Sequence, residues 1–163
     1  MSDYAVRQLI TGMLTDPNAH LMLDKIIEGF PADHYGTIPD GFSHSAWQLL
    51  EHLRIAQEDI LDFSINPDYE ARDWPDDYWP KDPKPQSKSD WKKSVSAFNQ
   101  DLGRMVGMLE DKSNDLFKPF EHGDGQTLLR EAILLIKHNS YHFGQLMLLQ
   151  KYFEETCSER SEL

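Results

Sequence analysis

From end to end the chain repeats apolar residues every three or four positions, and nowhere does it alternate apolar with polar residues for the length of a strand. That period is helical, so the sequence predicts an all-α protein. From Asp3 to Leu14, Val6, Leu9, Ile10, Met13 and Leu14 share helical spacing. Asp16-Pro17 reads as a turn opening a second helix, Asn18 to about Phe30, which Pro31 ends. Ser45-Ala-Trp-Gln48 matches a capping box, with Ser43 as an alternative cap. The helix it opens runs to about Phe63, stops before Pro67, and turns Leu49, His52, Leu53, Ala56 and Ile60 inward. Ser87 or Ser89 caps a long helix ending near Leu109, and the last helix runs from about Gln126 to Phe153 with a polar, fraying tail.

Five of the nine prolines lie between Pro67 and Pro85, so that stretch cannot be a regular helix. It reads as a long loop, Asp68 to Pro85, and it carries Trp74, Tyr78 and Trp79 among acids. Long loops in compact domains often serve as lids or pocket walls. The other reading is that these aromatics patch the end of the bundle. The whole is expected to be one domain over residues 1–163 with its core at about 18–153. Its expected architecture is an up-and-down four-helix bundle with a short extra helix at the N-terminus.

The formal net charge of −12 argues against nucleic acid and against anionic membrane surfaces. No apolar run approaches the roughly 20 residues of a membrane span, and no signal peptide is visible. One cysteine, Cys157, excludes an intrachain disulfide and fits a reducing, cytoplasmic compartment. It lies in the polar tail, without the basic setting that favours a thiolate, so no catalytic role is expected of it.

The chemistry-bearing feature is "KHNSYHFGQLMLLQ", Lys137 to Gln150. A helix turns about 100° per residue, so His138 and His142 lie some 40° apart on one face. Glu131, Leu135, Tyr141, Gln145, Leu146 and Leu149 share or border it, which makes it the core side. Two buried imidazoles resist charging together, and the neutral ring is the metal-binding form. His52, mid-helix on an inward face, is the best third ligand. Three histidines leave a coordination position open, the pattern of a catalytic rather than a structural site. The same spacing also arises from hydrogen-bonded core histidines. No histidine is followed by glutamate or preceded by one three positions earlier, so neither zinc-protease nor carboxylate-bridged di-iron chemistry is supported. Tyr141, Gln145, Glu131 and, more weakly, Glu51 are candidates to hold the imidazoles in place, and Trp74, Tyr78 and Trp79 to wall a pocket. His20 and His44 are weaker candidates for the site, His34 and His122 weaker still.

"HSAWQLLEHLRIAQEDIL" followed far downstream by "IKHNSYHFGQLMLLQKY" resembles the DinB superfamily of bacterial four-helix bundles, and "NAHLMLDKIIEGFP" is similar to its N-terminal part. The resemblance spans about residues 18 to 153 and puts the family's metal triad on His52, His138 and His142. It implies a divalent cation, zinc or nickel first, with iron or manganese as alternatives. It also implies thiol-dependent S-transferase or isomerase chemistry with a low-molecular-weight thiol such as mycothiol, bacillithiol or glutathione, and the expectation drawn from the site is a metal-dependent transferase or hydrolase acting on a small-molecule electrophile. A homodimer is expected by the same resemblance. The competing reading is a non-catalytic dimeric bundle acting as an interaction or stress-response protein.

Overall fold

The computed structural model describes residues 3–161, and side chains for residues 3–156. Cys157 therefore lies outside the described side chains. Five α-helices follow one another: α1 (Asp3–Thr15), α2 (Leu23–Ile27), α3 (Ala46–Ile65), α4 (Lys88–Glu110) and α5 (Leu128–Ser161). Among the described residues there is no β-strand, only an isolated bridge between Pro119 and Thr127. No helix among them is long and apolar enough to cross a membrane.

The caps explain most of the boundaries. Ser45, not Ser43, opens α3 with a complete capping box: Ser45 Oγ accepts from Gln48 N and Ser45 N donates to Gln48 Oε1, both at 3.1 Å. Ser87 opens α4 by accepting from Asp90 N. Two helices differ from expectation. The segment expected to be helical from Asn18 to Phe30 is helical only from Leu23 to Ile27. Asn18 instead turns back to donate to Gly12 O at the end of α1, and Gly29 takes a left-handed φ of +79° that stops the helix early. At the other end, α5 continues to Ser161 instead of fraying after Phe153. No proline or glycine follows Glu154 to stop it, and Phe153 anchors it by packing edge-on to Phe30.

The bundle is formed by α1, α3, α4 and α5, with α2 laid against α5. Neighbouring residues fix the directions. Along α3 and α4, Glu51 meets Ser94, Gln57 meets Phe98, and Ile60 and Leu61 share a cluster with Met105 and Leu109, so these two helices run parallel. Along α3 and α5, His52 meets His142 while Ile60 packs in the cluster that holds Ala132, so these run antiparallel. Simple up-and-down alternation therefore gives way at one connection. The residues between Ile65 and Lys88 carry the chain back along the bundle before α4 begins.

Two apolar clusters fill the interior. One holds Leu50, Leu53, Trp91, Phe98, Leu146 and Leu149 with α2; the other holds Ile10, Leu61, Met105, Leu109, Leu128 and Leu135. A polar belt lies between them. Gln57, fully buried, donates to Phe98 O and accepts from Asn139 Nδ2 at 3.2 Å. The Gln57 amide finds a partner on each neighbouring helix and so ties α3 to α4 and α5 at the level of the histidines, while Asn139 Oδ1 stays buried without a partner.

Candidate metal centre

His52 comes from the middle of α3, and His138 and His142 from successive turns of α5. Their rings meet with centroids 4.9 Å (His52–His138), 4.6 Å (His52–His142) and 4.6 Å (His138–His142) apart. One nitrogen from each lies within 4.8 Å of the others. His52 and His142 are buried and His138 is half-buried.

Hydrogen bonds decide which nitrogens face the centre. His52 Nδ1 lies 2.9 Å from Tyr78 O, and a carbonyl only accepts, so Nδ1 carries the proton. Its Nε2 lone pair then faces the other two rings. His142 Nδ1 likewise donates to Gln145 Oε1 at 2.7 Å, which leaves its Nε2 unprotonated. His138 Nε2 is 3.0 Å from His52 Nε2, while His138 Nδ1 is buried without a hydrogen-bond partner. A donor set of imidazole nitrogens, two held by outer acceptors in the tautomer that coordinates through Nε2, suits a divalent cation. Zinc–nitrogen bonds of ~2.0–2.1 Å separate two ligands by about 3.3 Å, near the 3.0 Å between His52 Nε2 and His138 Nε2, and the third ring offers a nitrogen within 4.8 Å.

Electrostatics point the same way. Burial, then the neighbouring His52, pushes His138 down from 6.5 to about 4. Burial, then His138, does the same to His142. His52 is also lowered, chiefly by burial, with the bond to Tyr78 O pulling against it. At neutral pH all three rings are uncharged, the form that coordinates a metal, and the His52 and His138 Nε2 atoms share one hydrogen bond.

The surroundings sort the other candidates. Trp79 stacks flat on His52, centroids 3.9 Å apart and planes 3° from parallel, and its other face stacks on His44 at 4.1 Å. Gln145 holds His142. Tyr141 sets its ring edge against His142 at 4.8 Å but is 65% exposed, so it stands at the mouth. Trp74 is 71% exposed and sets its ring against Tyr78. Glu131 does not hold an imidazole: it is buried two turns before His138 and pairs with Arg130 at 2.6 Å. Glu51 is spent on Arg54 and Ser94. His20 bonds Ser140 Oγ, His34 stacks on Phe153, and His122 bonds Phe63 O, all apart from the triad. A cavity of about 370 Å³ lined by Phe42, His44, Leu49, Gln145 and Leu148 lies beside the centre; none of the three histidines lines it, and its links to them are Gln145, which bonds His142, and His44, which stacks on Trp79. Missed at the level of sequence was the Tyr78 carbonyl, because a loop backbone atom leaves no trace in side-chain patterns.

Fold and site together define a class: a helical bundle whose polar belt gathers three neutral histidines able to hold a metal ion. The family model of the DinB superfamily matches residues 19–146, most of the chain and all three histidines. The chain belongs to the DinB superfamily. No curated protein and no solved structure matches it.

Proposed function

We propose that this protein is a divalent-metal-dependent enzyme acting on a small electrophile, as a thiol-dependent S-transferase or a hydrolase. The observation that carries this reading is the convergence of three uncharged imidazoles from two helices beside an open cavity. His52, His138 and His142 would hold the ion, zinc and nickel being among the metals that imidazole suits and the first expected from the family. A cation there supplies Lewis acidity, lowering the pKa of a coordinated thiol or water toward neutrality. The chain supplies the rest. Gln145 and the Tyr78 carbonyl orient the rings, Trp79 shuts one side of His52 from water, and Phe42, Leu49 and Leu148 give the substrate an apolar seat. The single cysteine favours a reducing compartment, where a low-molecular-weight thiol is abundant. The test is metal content of untagged protein by elemental analysis, beside His138→Ala. Wild type is expected to hold about one ion per chain, a three-ligand site losing most of its metal when one ligand goes. Full retention in His138→Ala rejects the triad.

One observation favours a second reading, a non-catalytic bundle that works through self-association. Leu134, Tyr141, Leu148 and Tyr152 are exposed along one side of α5 at spacings of seven and four. Chelator-washed protein that melts unchanged, elutes as a dimer and shows no thiol conjugation would favour it.

A further inference from the structure

The connector between α3 and α4 touches the histidine cluster through consecutive residues, and its hold on α3 is built at a distance from the rings. Asp59 lies two turns beyond His52 on α3 and is 9% exposed. Its carboxylate accepts from Tyr78 Oη at 2.7 Å on Oδ2 and from Tyr69 Oη at 2.9 Å on Oδ1, with Arg72 Nε 3.5 Å from Oδ1. Two turns of helix span ~10 Å, about the reach of a tyrosine from carbonyl oxygen to hydroxyl. Tyr78 therefore lies along α3 with both ends bound: its phenol to Asp59, its carbonyl to His52 Nδ1. The next residue, Trp79, stacks on the His52 ring.

We propose that Asp59 and Tyr78 are positioning residues of the metal centre, a brace that sets the tautomer and ring plane of His52 from two turns away. The phenol–carboxylate bond fixes where the Tyr78 carbonyl stands. That carbonyl holds the His52 proton on Nδ1 and points Nε2 at His138 and His142. Trp79, carried on the same backbone, keeps the ring from swinging. This inference rests on the metal-site reading for its consequence, but the tautomer of His52 is a property of the metal-free protein. Tyr69 provides the internal control, because it bonds the same carboxylate and touches none of the three rings, its link to His52 running through its contact with the Tyr78 phenol.

The experiment compares wild type, Tyr78→Phe and Tyr69→Phe. Each variant loses one phenol–carboxylate bond and keeps its backbone carbonyl. In metal-free protein, long-range proton–nitrogen NMR of the histidine rings reads the His52 tautomer. Wild type and Tyr69→Phe are expected to show the Nδ1–H form alone, and Tyr78→Phe a mixture with the Nε2–H form. Competition with a chromophoric chelator for zinc is expected to show affinity reduced ~10-fold or more in Tyr78→Phe, the scale seen when a ligand loses its outer partner. In Tyr69→Phe the affinity should stay near that of wild type. A purely structural role would give the two variants the same melting loss and the same affinity. An unchanged tautomer in Tyr78→Phe, or equal affinities in the two variants, overturns the proposal. If wild type binds no zinc, the enzymatic reading falls, and the tautomer comparison alone decides whether the brace exists.

Discussion

Acid should destabilise the metal-free protein as the pH falls from 7 to 5. His138 and His142 are each pushed from 6.5 to about 4 in the folded state. Between those values the unfolded chain binds protons that the folded chain refuses. A histidine with a lowered folded pKa contributes its full stability above 6.5, and that contribution is lost as pH falls from 6.5 toward 4. From pH 7 to pH 5, one such imidazole accounts for ~2 kcal/mol, and the pair for roughly 4 kcal/mol. His52 and His44, both lowered mainly by burial, act in the same direction. The net charge of −12 acts the other way, since acid relieves repulsion among the carboxylates. That charge is spread over a solvated surface and screened by salt, so the buried rings should win. For a chain of this size the loss corresponds to a fall in Tm of roughly 10 °C. The assay is thermal unfolding of chelator-treated protein at pH 7 and pH 5, beside the double variant His138→Gln/His142→Gln. Wild type should show the fall, and the double variant should lose most of it. An equal fall in both, or none in wild type, refutes the claim that these rings are buried uncharged.

Two other perturbations test the surroundings. Gln145→Leu removes the acceptor of His142 Nδ1–H and should weaken zinc binding by ~10-fold or more; chelator competition measures it, and unchanged affinity would mean that the bond does not orient the ring. Arg7→Met should cost about 2–4 kcal/mol in urea unfolding. Arg7 is 4% exposed, and its guanidinium donates to the carbonyls of Leu109, Asp111 and Asn114, which close the end of α4. Lysine at position 7 should not rescue it, because one ammonium cannot present the fork that reaches three separated carbonyls.

What could be read ahead of the structure was whatever depends on spacing within one helix. His138 and His142 share a face because four residues make slightly more than one turn, and no tertiary contact is needed to know it. The Ser45–Gln48 box is equally local. The length of α2 was misjudged because the apolar period from Leu21 to Phe30 continues through residues whose backbone is bent away by Asn18 and Gly29. The placement of Glu131 failed for a different reason. Angular position put it on the triad's face, but two turns along the axis carry it ~10 Å from His138, where Arg130 claims it.

The connector shows why topology and site cannot be separated here. Because α3 and α4 run parallel, the chain leaving Ile65 must return along the length of α3 before α4 can start at Lys88. Twenty helical residues span ~30 Å, and an extended connector of similar residue count could reach about twice that. The slack has to be taken up somewhere, and it is taken up by anchors on α3 itself: Tyr69 and Tyr78 on Asp59, Arg72 on Glu58, Trp79 on His52. A connector returning along α3 passes Asp59 before it passes His52, and Tyr78 is the residue that reaches both. The prolines that exclude a helix between Pro67 and Pro85 thus do more than end α3. They keep a long helix out of this stretch and leave Tyr78 at the end of a short 3-10 turn, Asp76–Tyr78, from which its carbonyl meets His52 Nδ1, a contact that an up-and-down bundle with a short turn at this point would have no residue to make.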